Sequence, residues 1–350
     1  MGAAVLAGAM VTLGAAACGG GEDSTGTAAP SGGASGSAAT STLKVGLAYD
    51  IGGRGDQSFN DAAAAGLDKA KSELKLADAR ELSASPGETD AQKEERLRLL
   101  ASSGYNPVIA VGFAYSAATG KVAKEFPDVK FGIVDDAVEG ANITNLLFAE
   151  HEGSFLVGAA AALKSEKGNI GFVGGVQTPL IQKFQAGYEA GAKAVKPDIK
   201  VQVKYLTQPP DFTGFNDPAK GKTAAEGMYD AGADVVYQAA GGSGGGVFEA
   251  AKAANAFAIG VDSDQAKTAD AGVRDVIITS MLKKVDVAVF DFIKSVNDGT
   301  VKSGPTTYDL KAGGVDYSVT GGKIDDIKDK LEEYKQKIIS GEITVPDKTS

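Results

Sequence analysis

Tryptophan is absent from this 350-residue chain, cysteine and histidine occur once each, and the 35 Lys and Arg are outnumbered by 45 Asp and Glu. Each shortage removes a class of function. A single cysteine, Cys18, rules out an internal disulfide framework, and with the lone His151 it leaves too few ligands for a zinc site of the His/Cys type. His151, flanked by Glu150 and Glu152, reads as a surface histidine rather than a catalytic one. A net charge of −10 argues against nucleic acid, whose phosphates require clustered Lys and Arg. No pattern for a DNA-binding helix-turn-helix precedes the first strand. The sequence points to no cofactor and no metal.

Long apolar runs are also missing. The run that ends at Cys18 is shorter than the roughly 20 residues of a membrane span, so residues 1–17 read as a signal peptide. Residues 18–42 are nearly all Gly, Ser, Ala and Thr, a composition that buries no core and suits a flexible tether. A sole cysteine at that junction resembles a bacterial lipobox, in which the thiol is acylated, although Ala15 stands where leucine is usual and no Lys or Arg precedes Lys44. A start codon further upstream would account for the missing basic residues. The plainer alternative is a secretory signal with an incidental cysteine.

From Lys44 onward short apolar runs alternate with helical patterns, the signature of βαβ units and mainly parallel sheet. Strands are expected at Leu43–Asp50, Val108–Phe113, Val129–Asp136, Asn169–Val176, Ile199–Leu206, Ala233–Ala239, Ala258–Asp262 and Val276–Ser280. Helices are expected at Phe59–Leu74, Glu88–Ser102, Gly153–Lys164, Ile181–Val195, Ala219–Ala231, Gly245–Ala254 and Lys284–Asn297. The count suits two doubly wound α/β lobes better than one sheet. A last amphipathic segment, Ile324–Ile339, reads as a solvated surface helix.

The most informative stretch is Val45 to Gly66, where an apolar run ends in a glycine-rich turn that opens onto a helix. Gly52, Gly53 and Gly55 permit a sharp turn, and Ser58 is placed to cap the helix starting near Phe59. Asp50, Phe59 and Asn60 would then meet at the carboxyl end of a strand, where ligands bind in open α/β sheets. Asp135 and Asp262 also close strands, and only one of the adjacent Asp135 and Asp136 can face a cleft. Ionised carboxylates accept hydrogen bonds from hydroxyls and ring N–H groups, and Phe59 and Phe215 could sandwich a flat ring. Two nucleotide motifs fail. Gly221-Lys222-Thr223 would need its first P-loop glycine at Asn216, and the glycine run at 241–246 puts Val247 where the last glycine of G-x-G-x-x-G belongs. That run instead reads as a tight turn with its backbone near a ligand.

Seven segments in order, DIGGRGDQSFN (50–60), FGIVDD (131–136), GFVGGVQTPLIQKFQAGYEAG (171–191), GFNDPAKGK (214–222), AGGSGGGVFEAAK (240–252), IGVDSDQ (259–265) and TSMLKKVDVAV (279–289), carry a resemblance. From about Leu43 to Val345 the chain resembles the basic membrane protein family of substrate-binding lipoproteins, whose best-understood members are PnrA-type purine nucleoside receptors of ABC transporters. The resemblance implies the type I periplasmic binding protein fold, two lobes joined by three hinge crossings. It puts the N-lobe at 43–148 plus 283–307 and the C-lobe at 149–282 plus 308–350. It implies that Phe59 stacks on a base, followed by Asn60, that Asp50 begins the glycine turn, and that Asp135 faces the base. The second ring would be Phe215, with Phe212 and Phe184 as rivals. Asp262 and Lys283 would meet ribose hydroxyls, and the backbone of Gly241 or Gly242 would approach the sugar. The expected protein is a lipid-anchored receptor on the extracytoplasmic face that passes a purine nucleoside to an ABC permease. A receptor for a sugar or other small molecule, or a nucleoside hydrolase, remains the alternative.

Overall fold

The computed structural model describes residues 41–349. Cys18, the signal segment and most of the tether lie outside the described residues. Among those described, β1 (Lys44–Tyr49), β2 (Asp78–Ser83), β3 (Val108–Ala110), β4 (Phe131–Val134) and β5 (Ile143–Phe148) alternate with α1 (Phe59–Leu74), α2 (Asp90–Ser102) and α3 (Ser116–Glu125). The chain then builds α4 (Glu150–Lys164), β6 (Asn169–Val176), α5 (Pro179–Val195), β7 (Lys200–Thr207), α6 (Pro218–Asp230) and β8 (Val235–Ala239). It continues through α7 (Gly244–Ala253), β9 (Phe257–Asp262), the short α8 (Gln265–Thr268), β10 (Ile277–Lys283) and α9 (Val285–Asn297). It ends with β11 (Gly304–Tyr308), β12 (Val315–Tyr317) and α10 (Lys328–Ile339).

The strands form two six-stranded sheets, ordered β11-β5-β4-β3-β1-β2 and β12-β10-β9-β8-β6-β7. Every pairing is parallel except β10 with β12. The chain passes between sheets after β5, after β10 and between β11 and β12. Fully buried strands such as β1, with Val45 and Leu47 at 0% exposure, read as continuous apolar runs because helices cover both faces.

Elements at the sheet margins escaped the sequence reading. β2 is DARELS, partly solvated along its length, and β11 is GPTTY, an edge strand with three exposed residues. The helix α3, strand β5 and the three-residue β12 were also unforeseen. The segment at 324–339 forms α10 only from Lys328, and its Leu331, Tyr334 and Ile338 are buried, so one face packs rather than standing in solvent.

One pair of helices is unusually close. A Cβ on Gly191 of α5 would stand 1.9 Å from the carbonyl oxygen of Phe155 in α4, so only glycine permits this backbone approach. The contact fixes α4, and with it Glu150, at the first passage between sheets.

Candidate ligand-binding site

The turn after β1 is organised by a residue the sequence reading overlooked. Ser58 occupies the N-cap position of α1 but makes no side-chain cap. Asp56 does that work: one carboxylate oxygen accepts from the backbone N–H of Ser58 (2.9 Å) and Asp61 (3.0 Å), the other from the N–H of Asn60 (2.8 Å) and its side-chain amide (3.0 Å). These bonds satisfy donors that a helix start leaves unpaired, and the helix dipole favours the carboxylate. Ser58 is thereby freed to donate its hydroxyl across the cleft to Asp262 Oδ2 at 2.7 Å.

Asn60 ties the strand end to the helix. Its side-chain oxygen accepts from the Asp50 N–H (3.1 Å), and its amide donates to the Ile51 carbonyl (3.3 Å). Asp50 is held by the Ile51 N–H at 2.7 Å, and burial pushes its carboxyl up to about 6. A Cβ at Gly112, which has φ +104°, would stand 2.7 Å from Asp50 Oδ2, so glycine is needed where β3 ends beside that carboxylate.

These groups border a cavity between the two sheets. Asp50, Phe59, Asn60, Asp135, Phe215, Gly241, Asp262 and Lys283 all line it. Gly242 does not. The turn Gly241–Ser243 carries it to the outer side, toward Asn216 and Asp56, where it borders a separate polar depression. Of the rival rings, Phe184 lines the cavity beside Phe215, whereas Phe212 belongs to a neighbouring pocket that shares Asp50 and Ile51. Phe113 was missed. It lies edge-on to Phe212 and Phe215, with centroids 5.8 and 6.4 Å away, and lines the same cavity. The apolar run VIAVGF gave no reason to separate this ring from the core.

A buried charge cluster closes the space where the chain passes between sheets. Lys283, the last residue of β10 and three residues beyond the expected strand end, is 2% exposed. Its Nζ lies 2.5 Å from Asp135 Oδ2 and 3.7 Å from Glu150 Oε1. The rings of Phe59, Phe148 and Phe184 surround it with centroids at 4.9, 5.1 and 5.6 Å. Burial alone would push this lysine down, but Asp135, Glu150 and Asp262 outweigh it and hold the ammonium above the usual lysine value. Burial raises Asp262 to about 6 against the pull of Lys283 and Ser58, and it raises Glu150 to about 7. Asp136 turns away from the cavity to accept from Ser116 and the Ala137 N–H. His151, expected at the surface, is half-buried in α4 with an unpartnered Nδ1, and desolvation holds it below its ordinary value.

The lobes already touch across this space. Besides Ser58 with Asp262, the Gln57 carbonyl accepts from Gln265 Nε2 at 3.0 Å, and Ser263 donates to the Ser58 carbonyl at 3.2 Å. Rings, carboxylates and one ammonium around one cavity suit a small planar ligand with several N–H or O–H donors.

A family model described as ABC transporter substrate-binding protein PnrA-like matches residues 43–349. The chain is 37% identical over 321 residues to the ABC transporter nucleoside-binding protein BmpA of Lactococcus lactis subsp. cremoris, a match covering 87% of this chain and 90% of that protein. It is 33% identical over 320 residues to basic membrane protein A of Borreliella burgdorferi, covering 89% and 90%. An ABC transporter solute-binding protein from Aeropyrum pernix K1 superposes with a TM-score of 0.76 at 32% identity, covering 88% of this chain and 94% of that one. With its two parallel-sheet lobes of the type I periplasmic binding fold, the chain belongs to the PnrA-like family of ABC transporter substrate-binding proteins.

Proposed function

We propose that the protein captures a purine nucleoside such as guanosine, inosine or adenosine between its lobes and delivers it unchanged to an ABC permease. The observation that carries this reading is the convergence of Phe59, Phe184 and Phe215 with Asp135, Asp262 and Lys283 around one cavity. In this reading Phe59 and Phe215 flank the base, Asp135 accepts from it, and Asp262 and Lys283 take ribose hydroxyls. Asp50 and Asn60 shape the end of the slot, and the Gly241 backbone approaches the sugar. The lobes divide as 43–148 plus 283–307 and 149–282 plus 308–350. A nucleoside-binding relative in Lactococcus supports the ligand class.

A thermal-shift and calorimetric panel of nucleosides, free bases, sugars and riboflavin tests the reading, because a ligand that binds only the folded state raises its stability by mass action. Nucleosides should stabilise and be recovered intact after incubation. Stabilisation by sugars alone would support the sugar-receptor alternative, and recovery of free base would mean hydrolysis.

The same proposal places the protein on the extracytoplasmic face of the membrane through an acylated Cys18; relatives named lipoprotein and basic membrane protein support the location. No helix among the described residues is long and apolar enough to cross a membrane. Stable anchoring needs more than one acyl chain. Cys18→Ala should therefore release the protein to the medium, and a variant that still sediments with membranes would refute the anchor.

A further inference from the structure

Glu150 is 1% exposed and does not line the cavity, yet it stands 3.7 Å from the Lys283 ammonium. It is the first residue of α4 and Lys283 the last of β10, so the pair joins two of the passages between lobes. Its second oxygen has no hydrogen-bond partner among the described residues; the nearest cation is the half-exposed Lys183 of α5 at 3.5 Å. Asp135 is in the complementary position. One oxygen holds Lys283 at 2.5 Å, and the other is buried, unpartnered and on a residue that lines the cavity.

A ligand donor that reaches the unpartnered oxygen of Asp135 draws on the same carboxylate charge that holds Lys283 and weakens its grip on the ammonium. The ammonium cannot be left alone inside a shell of three phenyl rings, because an unpaired buried charge costs several kcal/mol. Glu150 is within ion-pair range but too far for a hydrogen bond, so a movement of about 1 Å would complete the contact. We propose that Glu150 is a positioning residue of the ligand site, which takes over the Lys283 ammonium when a bound ligand engages Asp135. The inference rests on the nucleoside reading of the cavity.

The exchange has a proton signature. Glu150 is faced by Lys283 from β10, Asp135 from the segment after β4, Lys183 from α5 and Tyr237 from β8, while Asp262 of β9 adds to the field on Lys283. Burial raises Glu150 to about 7, and a closer Lys283 lowers it, so binding near that pH should release a fraction of a proton.

The test uses Glu150→Gln and Lys283→Met in the full chain, with inosine as the probe. Calorimetry in buffers of different ionisation enthalpy should show proton release on binding by wild type near pH 7 and a clearly smaller release by Glu150→Gln, in which only the lower-titrating Asp50 and Asp262 remain. Glu150→Gln should weaken inosine on the order of tenfold, and should change nothing further in a Lys283→Met background. Additive losses would mean that Glu150 does not act through Lys283, and the proposal would fall. The ligand-free protein provides a separate readout: the ε-carbon resonance of Lys283, assigned by its loss in Lys283→Met, should step near the Glu150 titration at about 7 in wild type, and Glu150→Gln should abolish that step and leave only the lower one imposed by Asp262. A wild-type resonance with no step near 7 overturns the proposal. A wild type that binds no nucleoside overturns the proposed function, and the resonance still reports whether the two charges are coupled.

Discussion

Two carboxylate centres border the cleft, and they are built on opposite terms. At the glycine turn, both oxygens of Asp56 are saturated by donors from its own loop and helix, at 2.8 to 3.0 Å. At the passages between lobes, Asp135 and Glu150 each keep an oxygen without a hydrogen-bond partner, and they share one lysine. The first centre has spent its capacity on shape. The second retains capacity, which buried polar groups seldom do without a functional reason. Substitution at the turn should therefore register chiefly in stability, and substitution at the passages chiefly in binding and its pH dependence.

The largest expected effect is at the saturated centre. Asp56→Ala leaves several N–H groups of the α1 start unpaired and should cost about 2–3 kcal/mol in denaturant unfolding, since loss of a cap costs up to about 2 and charged hydrogen bonds about 1.5–3. A stability change under about 0.5 kcal/mol, the range of an indifferent surface site, would break the contrast.

Phe59 lies between the two centres, directly after the turn and 4.9 Å from Lys283. Phe59→Ala should weaken nucleoside binding by about 1–3 kcal/mol, the value of one aromatic base contact, with a smaller change in melting temperature. Unchanged affinity beside a large melting shift would assign the ring to the core.

Asp262 sharpens the comparison because it belongs partly to each kind. One oxygen is committed to Ser58 across the cleft at 2.7 Å, which leaves the other for a ligand. Asp262→Ala should lower guanosine affinity about tenfold or more, since a hydrogen bond to a charged group is worth roughly 1.5–3 kcal/mol, and should leave weak guanine binding nearly unchanged. Equal losses for both would assign Asp262 to lobe closure rather than to the ribose.

The smallest effect is a slope with pH. Burial raises Asp50 and Asp262 from 3.8 to about 6 and Glu150 from 4.5 to about 7, so between those limits the folded state binds more protons than the unfolded chain. The stability these groups contribute is fully present below their unfolded values and is lost as pH rises through about 6 to 7. Glu150→Gln should flatten the upper part of that decline in urea titrations. An identical slope in the variant would show that Glu150 does not titrate in this range.

The β1 to α1 segment was legible in the sequence because its signals are local: an apolar run, glycines and a polar residue at the helix start. The same locality misled at Ser58, since nothing in the spacing distinguishes a side chain that caps its own helix from one that reaches another lobe while Asp56 caps instead. The edge strands β2 and β11 were invisible because solvated edges lack the apolar alternation that marks a strand. Glu150 could not be singled out by any pattern. It stands in the run Ala149-Glu150-His151-Glu152, and its meaning comes from Lys283, more than 130 residues away. Gly241 and Gly242 are adjacent and alike in sequence, and only the folded turn shows which side each one faces.

Asp135 and Asp262 share a backbone trait with consequences for change over generations. Their φ angles are +72° and +62°, in the left-handed region where most side chains pay roughly 1–2 kcal/mol and Asp, Asn and Gly are the residues that recur. The main chain therefore restricts the alphabet at two positions that line the cavity. Charge can be exchanged for an amide or removed, but a hydroxyl, a ring or a longer acid would have to overcome the conformation first. Diversification of ligand choice should then be channelled to positions in ordinary helical or extended geometry, among them Phe184 within α5 and Phe59 at the start of α1.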